Sequence, residues 1–106
     1  MPEYIFTYHG EFKPQTPEEG AEGMAKWKAW AGNLGSALVN PGTPVGTTKV
    51  LTADGVSQAP SPHPIMGFSI IEADDMTHAL QLLRDCPHLA YGGTLEVSEM
   101  LQMPGG

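Results

Sequence analysis

Residues 67–97 restrict the fold of this chain more than any other part of its sequence. Residues 67–72 are rich in β-branched and aromatic side chains, which favours a strand. Asp74 or Asp75 can cap the helix that follows, because a short acidic side chain accepts from the free N–H groups of a first helical turn. Residues 94–98 then predict a second strand. A strand, a helix and a strand in this order predict an α+β domain.

The first half of the chain carries the same order of elements. Residues 4–8 predict the first strand, and Thr16 is the expected N-cap of a helix that continues to about Ala37. Pro17 suits the first turn of that helix, and Glu19 completes a capping box. Both helices carry apolar residues at spacings of three and four, which predicts one buried face on each. These faces are Met24, Trp27, Ala31, Leu34 and Leu38 in the first helix, and Met76, Ala79, Leu80 and Leu83 in the second.

Two further strands are predicted between the helical units. Residues 39–44 are typical of a short irregular strand, and residues 47–52 of a better one. The proline-rich stretch 53–64 predicts an extended loop. A single domain is therefore expected over residues 1–101, with a flexible tail at 102–106.

The order strand, helix, two strands, helix, strand predicts a ferredoxin-like βαββαβ fold, in which an antiparallel sheet carries both helices on one face. Successive side chains of a strand point to opposite faces. Phe6 and Ile5 therefore point to opposite faces of the sheet, and so do Ile71 and Ile70. One of these apolar faces has no helix to cover it, so we expect a homodimer that packs through the sheet face.

Charge and composition disfavour several classes of function. The chain has 106 residues, a formal net charge of −7 and 5 Lys and Arg residues. So few cations can make few phosphate contacts, which argues against binding to nucleic acid or to an anionic membrane. The N-terminus lacks the basic and apolar regions of a signal peptide, and Cys86 is the single cysteine. Together these features predict a cytoplasmic protein.

Two motifs in the second half of the chain are similar to those of a known family. One is the strand at 67–74 with the helix at 76–83 behind it, and the other is residues 86–89 (CPHL) followed by residues 92–97. With the aromatic first strand, they resemble the YCII-related proteins and, within these, the DGPF subgroup. The resemblance implies a dimeric α/β-barrel type of fold with a cleft between helix and sheet.

Some YCII-related proteins are enzymes, including a dehydrochlorinase-type lyase, and carry a His–Asp pair. Their histidine lies in the first helix, and their aspartate follows near a glycine turn. In this chain the first helix contains no histidine, and Asn40 stands near the position of the aspartate. Residues 54–57 (DGVS) replace the Asp-Gly-Pro-Phe motif of the subgroup. The resemblance therefore predicts the fold, and it does not carry the His–Asp chemistry to this chain.

His88 and His9 are the candidate catalytic residues, because imidazole titrates near neutral pH and can act as a base at a cleft. His88 follows Pro87, which is expected to end the second helix, so a capping role at that helix end is the structural alternative. His9 follows the first strand, and its structural alternative is an exposed loop residue.

Trp27, Trp30 and Asn40 are the candidate ligand-binding residues. The two tryptophans lie one helical turn apart and could line an apolar pocket, or belong to the core or a dimer interface. Asn40 could orient a ligand or initiate the turn at Pro41. The histidines lack metal-ligand spacing, and nucleotide-binding glycine motifs are missing, so we expect no metal and no cofactor.

The sequence leaves three functions open. The first is a small YCII-related protein that binds a small, largely apolar molecule in the cleft near Trp27, Trp30 and His88. The second is a non-enzymatic regulatory or interaction dimer, since members of the subgroup are often encoded beside sigma-factor-like regulators. The third is a small lyase or a cofactor-free monooxygenase of the dimeric barrel class. The fold alone does not choose among them.

Overall fold

The computed structural model describes residues 1–10, 16–58 and 63–102. It contains a long helix, two shorter ones and six strands within these ranges. The elements in chain order are β1 (Glu3–His9), α1 (Pro17–Leu34) with a 3-10 turn (Gly35–Ala37), β2 (Leu38–Pro44), β3 (Leu51–Thr52), β4 (Gly55–Val56), β5 (Ile65–Glu72), α2 (Met76–Leu83), α3 (Pro87–Ala90) and β6 (Thr94–Glu99).

Four strands form one antiparallel sheet in the order β2–β5–β1–β6. The central strand β1 pairs Tyr4 with Ile71 of β5 on one side and Phe6 with Val97 of β6 on the other. This strand order and the helices α1 and α2 reproduce the ferredoxin-like arrangement that the sequence predicts. The two remaining strands, β3 and β4, form a separate hairpin.

The core lies between the sheet and the helices. Phe6 is fully buried, and its ring meets that of Trp30 edge to face with centroids 6.2 Å apart. Burying one such aromatic side chain contributes about 1.5–3 kcal/mol to folding. The buried apolar residues are Tyr4, Phe6, Trp30, Ile71, Ala73, Ala79, Leu83 and Cys86.

The start of α1 has the Thr16 N-cap that the sequence predicts. The Thr16 hydroxyl accepts from the Glu19 N–H at 3.1 Å. The α-helix itself stops at Leu34, short of the predicted end at Ala37, because Gly35 takes a φ of 58° and the chain tightens into the 3-10 turn. The second helix begins at the N-cap Asp75, whose carboxylate accepts from the His78 N–H at 2.8 Å.

The predicted buried faces of both helices need correction. Met24 is 49% exposed, whereas Trp30, which the spacing argument left out, is 8% exposed and belongs to the core. In α2, Met76 and Leu80 are exposed, and only Ala79 and Leu83 of the predicted set are buried. A helix that packs on a flat sheet buries a narrow stripe, so residues at the edges of an apolar face stay partly in solvent.

The ranking of the two middle strands was wrong. The irregular segment became β2, an edge strand of the main sheet, while residues 47–50 are not in a strand and only Leu51–Thr52 pairs, within the small hairpin. An edge strand tolerates proline because one row of its N–H groups needs no partner. Gly42 has a φ of 71° and packs so closely on β5 that a Cβ there would collide with the Phe68 carbonyl.

Pro87 was expected to end α2, but it is the first residue of α3. Its missing N–H costs nothing at that position, and the chain leaves α2 earlier, after Leu83. Parts of the predicted proline-rich loop and of the predicted tail, residues 59–62 and 103–106, lie outside the described residues, as do residues 11–15. None of the helices in the described ranges has the length and apolar character needed to cross a membrane.

Candidate functional site

A cleft of about 380 Å³ opens between α1, α3 and one end of the sheet. Its walls are mostly apolar and come from five parts of the chain: Tyr8 of β1, Met24 and Trp27 of α1, Pro41 of β2, Phe68 of β5, and His88 and Tyr91 at α3. A volume of this size suits a small organic molecule, and such sites combine apolar walls with a few placed polar groups. The cleft therefore has the form of a small-molecule site.

Several glycines line the cleft. Gly20 and Gly23 contribute to its wall from α1, and Gly67 contributes from β5. A Cβ at Gly67 would lie 3.5 Å from the Tyr8 ring and 3.1 Å from the Thr43 carbonyl oxygen. A larger side chain there would therefore press on the wall of the cleft beside Tyr8.

The Tyr8 hydroxyl lies in a chain of hydrogen bonds. The Trp27 indole N–H donates to the Tyr8 oxygen at 3.0 Å, and the Tyr8 and Ser69 hydroxyl oxygens are 3.0 Å apart. The Ser69 hydroxyl donates to the Pro41 carbonyl at 2.7 Å. Burial raises the pKa of the Tyr8 phenol above its ordinary value, with the bonds from Ser69 and Trp27 opposing this effect. Tyr8 is thus a neutral phenol at physiological pH.

His88 is held in the wall of the cleft by its Nε2 atom, which lies 2.6 Å from the backbone carbonyl oxygen of His9. A carbonyl can only accept, so Nε2 carries the proton, and Nδ1 of the neutral ring keeps its lone pair. The Tyr8 ring meets the imidazole edge to face with centroids 5.5 Å apart. On another side a Cβ at Gly93 would overlap the His88 ring, so glycine is required there.

The Nδ1 atom of His88 has no hydrogen-bond partner among the described residues. The same part of the chain holds no buried side-chain nitrogen or oxygen that lacks a partner, so Nδ1 is open to solvent or ligand. An imidazole with one nitrogen fixed by a backbone carbonyl and the other free is the arrangement that a general base needs. The alternative of a cap on the second helix is not what the contacts of this side chain show, since its partner is in β1.

The structure does not bring His9 into the cleft. Its side chain is on the opposite side of the sheet from Tyr8, as the alternation along β1 requires, and its Nε2 lies 2.7 Å from the Thr7 hydroxyl. Nδ1 lies 3.0 Å from the His63 carbonyl oxygen, and Glu96 is 3.6 Å away. With 8% exposure, His9 is also not the exposed loop residue of the structural alternative. Only the backbone oxygen of His9 contributes to the cleft, by accepting from His88.

Of the other predicted ligand-binding residues, Trp27 lines the cleft and Trp30 and Asn40 do not. Trp30 lies in the core against Phe6, because three residues turn a helix through about 300°, so the Trp30 side chain is rotated by about 60° from that of Trp27. The Asn40 side chain accepts from the Gly42 N–H at 2.8 Å. It therefore stabilises the turn within β2, which is the structural role that the Asn-Pro dipeptide also predicts.

Sequence reasoning missed the two linked hydroxyl groups of the site, Tyr8 in the cleft wall and Ser69 behind it. Tyr8 was assigned only to a strand face, and Ser69 was not singled out at all. The available signal was Ser69 itself, a hydroxyl at a fully buried position of an apolar strand, which must have a hydrogen-bond partner. Its partners are distant in sequence, so the spacing of residues could not identify them.

Cys86 is a free, buried cysteine near the cleft, next to Pro87. Burial raises the pKa of its thiol, and backbone N–H groups of His88 and Leu89 oppose this effect. The thiol form is not nucleophilic, so Cys86 has a packing role. Within the described residues, His, Cys, Asp and Glu side chains form no group of three that could hold a metal ion.

Comparison with known proteins gives one kind of match. No family model and no curated protein matches this chain. A solved structure does, that of 5-chloro-2-hydroxyhydroquinone dehydrochlorinase (TftG) from Burkholderia phenoliruptrix AC1100 in complex with 2,5-dihydroxybenzoquinone. The two chains superpose with a TM-score of 0.59 and 15% identity, over 98% of this chain and 97% of that chain. At this identity the likeness is one of fold, and it agrees with the mixed α+β, ferredoxin-like type that the sequence predicts.

Proposed function

We propose that this chain is a YCII-related protein that binds a small, largely apolar molecule in the cleft between α1, α3 and the sheet. The observation that carries the proposal is the cleft itself, which combines about 380 Å³ of mostly apolar space with a small set of ordered polar atoms on Tyr8 and His88. The solved structure with the same fold holds 2,5-dihydroxybenzoquinone, a ring compound of suitable size. A single aromatic or quinone-like ring is therefore the first ligand class to test.

A second candidate function is an enzyme that removes a proton from such a ligand, as in an elimination. The specific support is the free Nδ1 of His88, next to the cleft and oriented by the bond from Nε2 to His9. The similar structure is named as a dehydrochlorinase, and dehydrochlorination is one kind of elimination. The first-helix histidine of the family's enzymes is absent here, so His88 would have to supply the base from a different element.

The proposal includes a homodimer. Ile5 and Ile70 are half-buried on the sheet face away from the helices, because their neighbours Phe6 and Ile71 face the core. A second copy that packs on this face would remove these side chains from water. We also propose the cytoplasm as its compartment, since a free buried thiol at Cys86 suits reducing conditions.

A thermal-shift screen of small aromatic and quinone compounds tests the binding proposal. Hits should raise the melting temperature of the wild-type chain and lose most of this effect in Trp27→Ala and His88→Ala, because both side chains line the cleft. His63→Ala is the matched histidine control, since the His63 side chain is exposed and only its backbone is used. Binding that survives both cleft variants would rule out this cleft as the site.

A further inference from the structure

In the interior of the cleft, the polar side chains of Tyr8 and His88 already donate their protons to other groups of the protein. Ser69 has one hydroxyl proton, and it donates this proton to the Pro41 carbonyl. Towards Tyr8, Ser69 can then only accept, so the Tyr8 hydroxyl donates to Ser69. The Trp27 N–H also points at the Tyr8 oxygen. The hydrogen-bonding capacity that Tyr8 has left is a lone pair.

The same reasoning applies to the other polar side chains of the wall. His88 donates its one proton to the His9 carbonyl and keeps a lone pair at Nδ1. The Thr43 hydroxyl donates to the Pro44 carbonyl at 3.2 Å. Tyr91 differs from these residues: it lies at the exposed edge of the cleft, and its hydroxyl oxygen accepts from the Lys26 ammonium. The interior of the cleft is therefore rich in acceptors and poor in donors.

Charge adds a second restriction on the ligand. Among the described residues that line the cleft, none is an Asp, Glu, Lys or Arg. Gly20 lies between Glu19 and Glu22 in the first turns of α1, in a chain of net charge −7, and Lys26 on the same helix is paired with Glu22 at 3.5 Å. An anion in the interior of the cleft would meet lone pairs, with no charged side chain in the lining to compensate for lost water.

We propose that the cleft selects its ligand by hydrogen-bond direction: it takes small uncharged ring compounds that carry an O–H or N–H donor, and it discriminates against acceptor-only and anionic analogues. This inference rests on the proposed function, because it assigns the ligand class of the same cleft. A buried acceptor that loses its donor is left unpaired, which is why a missing donor group is discriminated against more strongly than a missing methylene.

Three probes that share a phenyl ring test the proposal. 1-Phenylethanol carries a donor, acetophenone has the same carbon skeleton with an acceptor only, and benzoate is an anion. Dissociation constants are measured by NMR titration of the full chain at about pH 8.5, where a typical imidazole is neutral. We expect 1-phenylethanol to bind about three- to tenfold more tightly than acetophenone, and benzoate to bind most weakly.

Two substitutions test whether the direction of the hydrogen bonds, and not only their number, determines which ligand binds. Ser69→Ala removes the acceptor that takes the Tyr8 proton, so Tyr8 can donate to a ligand and acetophenone should gain at least about threefold relative to 1-phenylethanol. Tyr8→Phe removes the lone pair and frees the Trp27 N–H, so it should weaken 1-phenylethanol and leave acetophenone unchanged or more tightly bound. Ser98→Ala, at an exposed position of β6, is the matched control and should keep the wild-type ratio.

The results distinguish failure of the directional selection from failure of the cleft as a binding site. Equal binding of 1-phenylethanol and acetophenone, or an unchanged ratio in Ser69→Ala, would overturn the directional selection while leaving the cleft as the binding site. Tight acetophenone binding that Tyr91→Phe abolishes would also overturn it, because Tyr91 would then be the donor. If no probe and no compound from the screen binds in the cleft, the proposed function fails together with the inference.

Discussion

His88 donates its Nε2 proton to the backbone carbonyl of His9, over 2.6 Å. This bond joins the short helix α3 to the end of β1, and it fixes both the orientation and the tautomer of the imidazole. The two histidines that the sequence offered as catalytic candidates are therefore connected, but through a backbone atom of one and a ring atom of the other. The His9 ring itself lies on the opposite side of the sheet.

Gly93 is the residue that allows His88 to take this position. Gly93→Ala should displace the imidazole, because the added Cβ would overlap three of its ring atoms. We expect a loss of about 1–3 kcal/mol in the free energy of unfolding, the usual cost of forcing an extra methyl group into a packed site, together with weaker ligand binding. Chemical denaturation of Gly93→Ala and of Gly46→Ala, a control with open space around its Cβ, checks this expectation. Equal stability of the two variants would contradict the packing of His88 on Gly93.

Tyr8 predicts a specific loss of stability in base. Its pKa is raised above 10.0, chiefly by burial, so the folded chain holds the phenolic proton more tightly than the unfolded chain does. The corresponding stabilisation is constant below about pH 10 and is lost as the pH rises through the folded-state pKa. In Tyr8→Phe this part of the fall in the free energy of unfolding should be absent. The unfolding free energies of both proteins below about pH 9 serve as the internal reference. Denaturation midpoints that fall with the wild-type slope in Tyr8→Phe would show that the phenol is not buried.

Cys86 should be unreactive in the folded protein. Burial raises the pKa of its thiol, and only the thiolate reacts readily with disulfide reagents. Titration with Ellman's reagent at about pH 8 should therefore be much slower for the native chain than for the chain in denaturant, by roughly a hundredfold or more. Equal rates in the two conditions would place the thiol at the surface.

The predicted homodimer can be tested through Ile70, which is half-buried on the sheet face without helices. Ile70→Lys would place a charge in the proposed interface, so the dimer should dissociate at micromolar concentration. Sedimentation velocity of the wild type, of Ile70→Lys and of Leu80→Lys measures this. Leu80 is 51% exposed on α2, which makes its variant the control. A monomeric wild-type chain would contradict the dimer.

The fold was largely predictable because its strongest signals are local. The caps at Thr16 and Asp75 and the strand β5 depend on residues a few positions apart, so the sequence displays them directly. The irregular strand β2 was undervalued because its place at the sheet edge, where proline is tolerated, is a property of the whole sheet. The face of α1 that is buried also depends on how the helix packs on the sheet. This packing buries Trp30 and leaves Met24 in the cleft wall.

The candidate site was predictable only in part. Trp27 and His88 line the cleft as the sequence suggested, but the polar chain through Tyr8, Ser69 and Pro41 joins residues up to 61 positions apart. No spacing rule identifies such partners. His9 and Asn40 belong to strands that contribute to the cleft, but their own side chains do not line it. The His9 ring is hydrogen-bonded to Thr7, and the Asn40 side chain to the Gly42 N–H.

The central claim, that a small molecule binds in this cleft, is tested most directly by the indole N–H signals of the two tryptophans. The Trp27 indole donates to Tyr8 in the wall of the cleft, whereas Trp30 lies in the core. A two-dimensional ¹⁵N–¹H spectrum assigned with Trp27→Phe follows both signals as a compound from the screen is added. We predict that the Trp27 signal shifts in a saturable way while the Trp30 signal stays nearly in place. A compound that raises the melting temperature without moving the Trp27 signal would contradict the account.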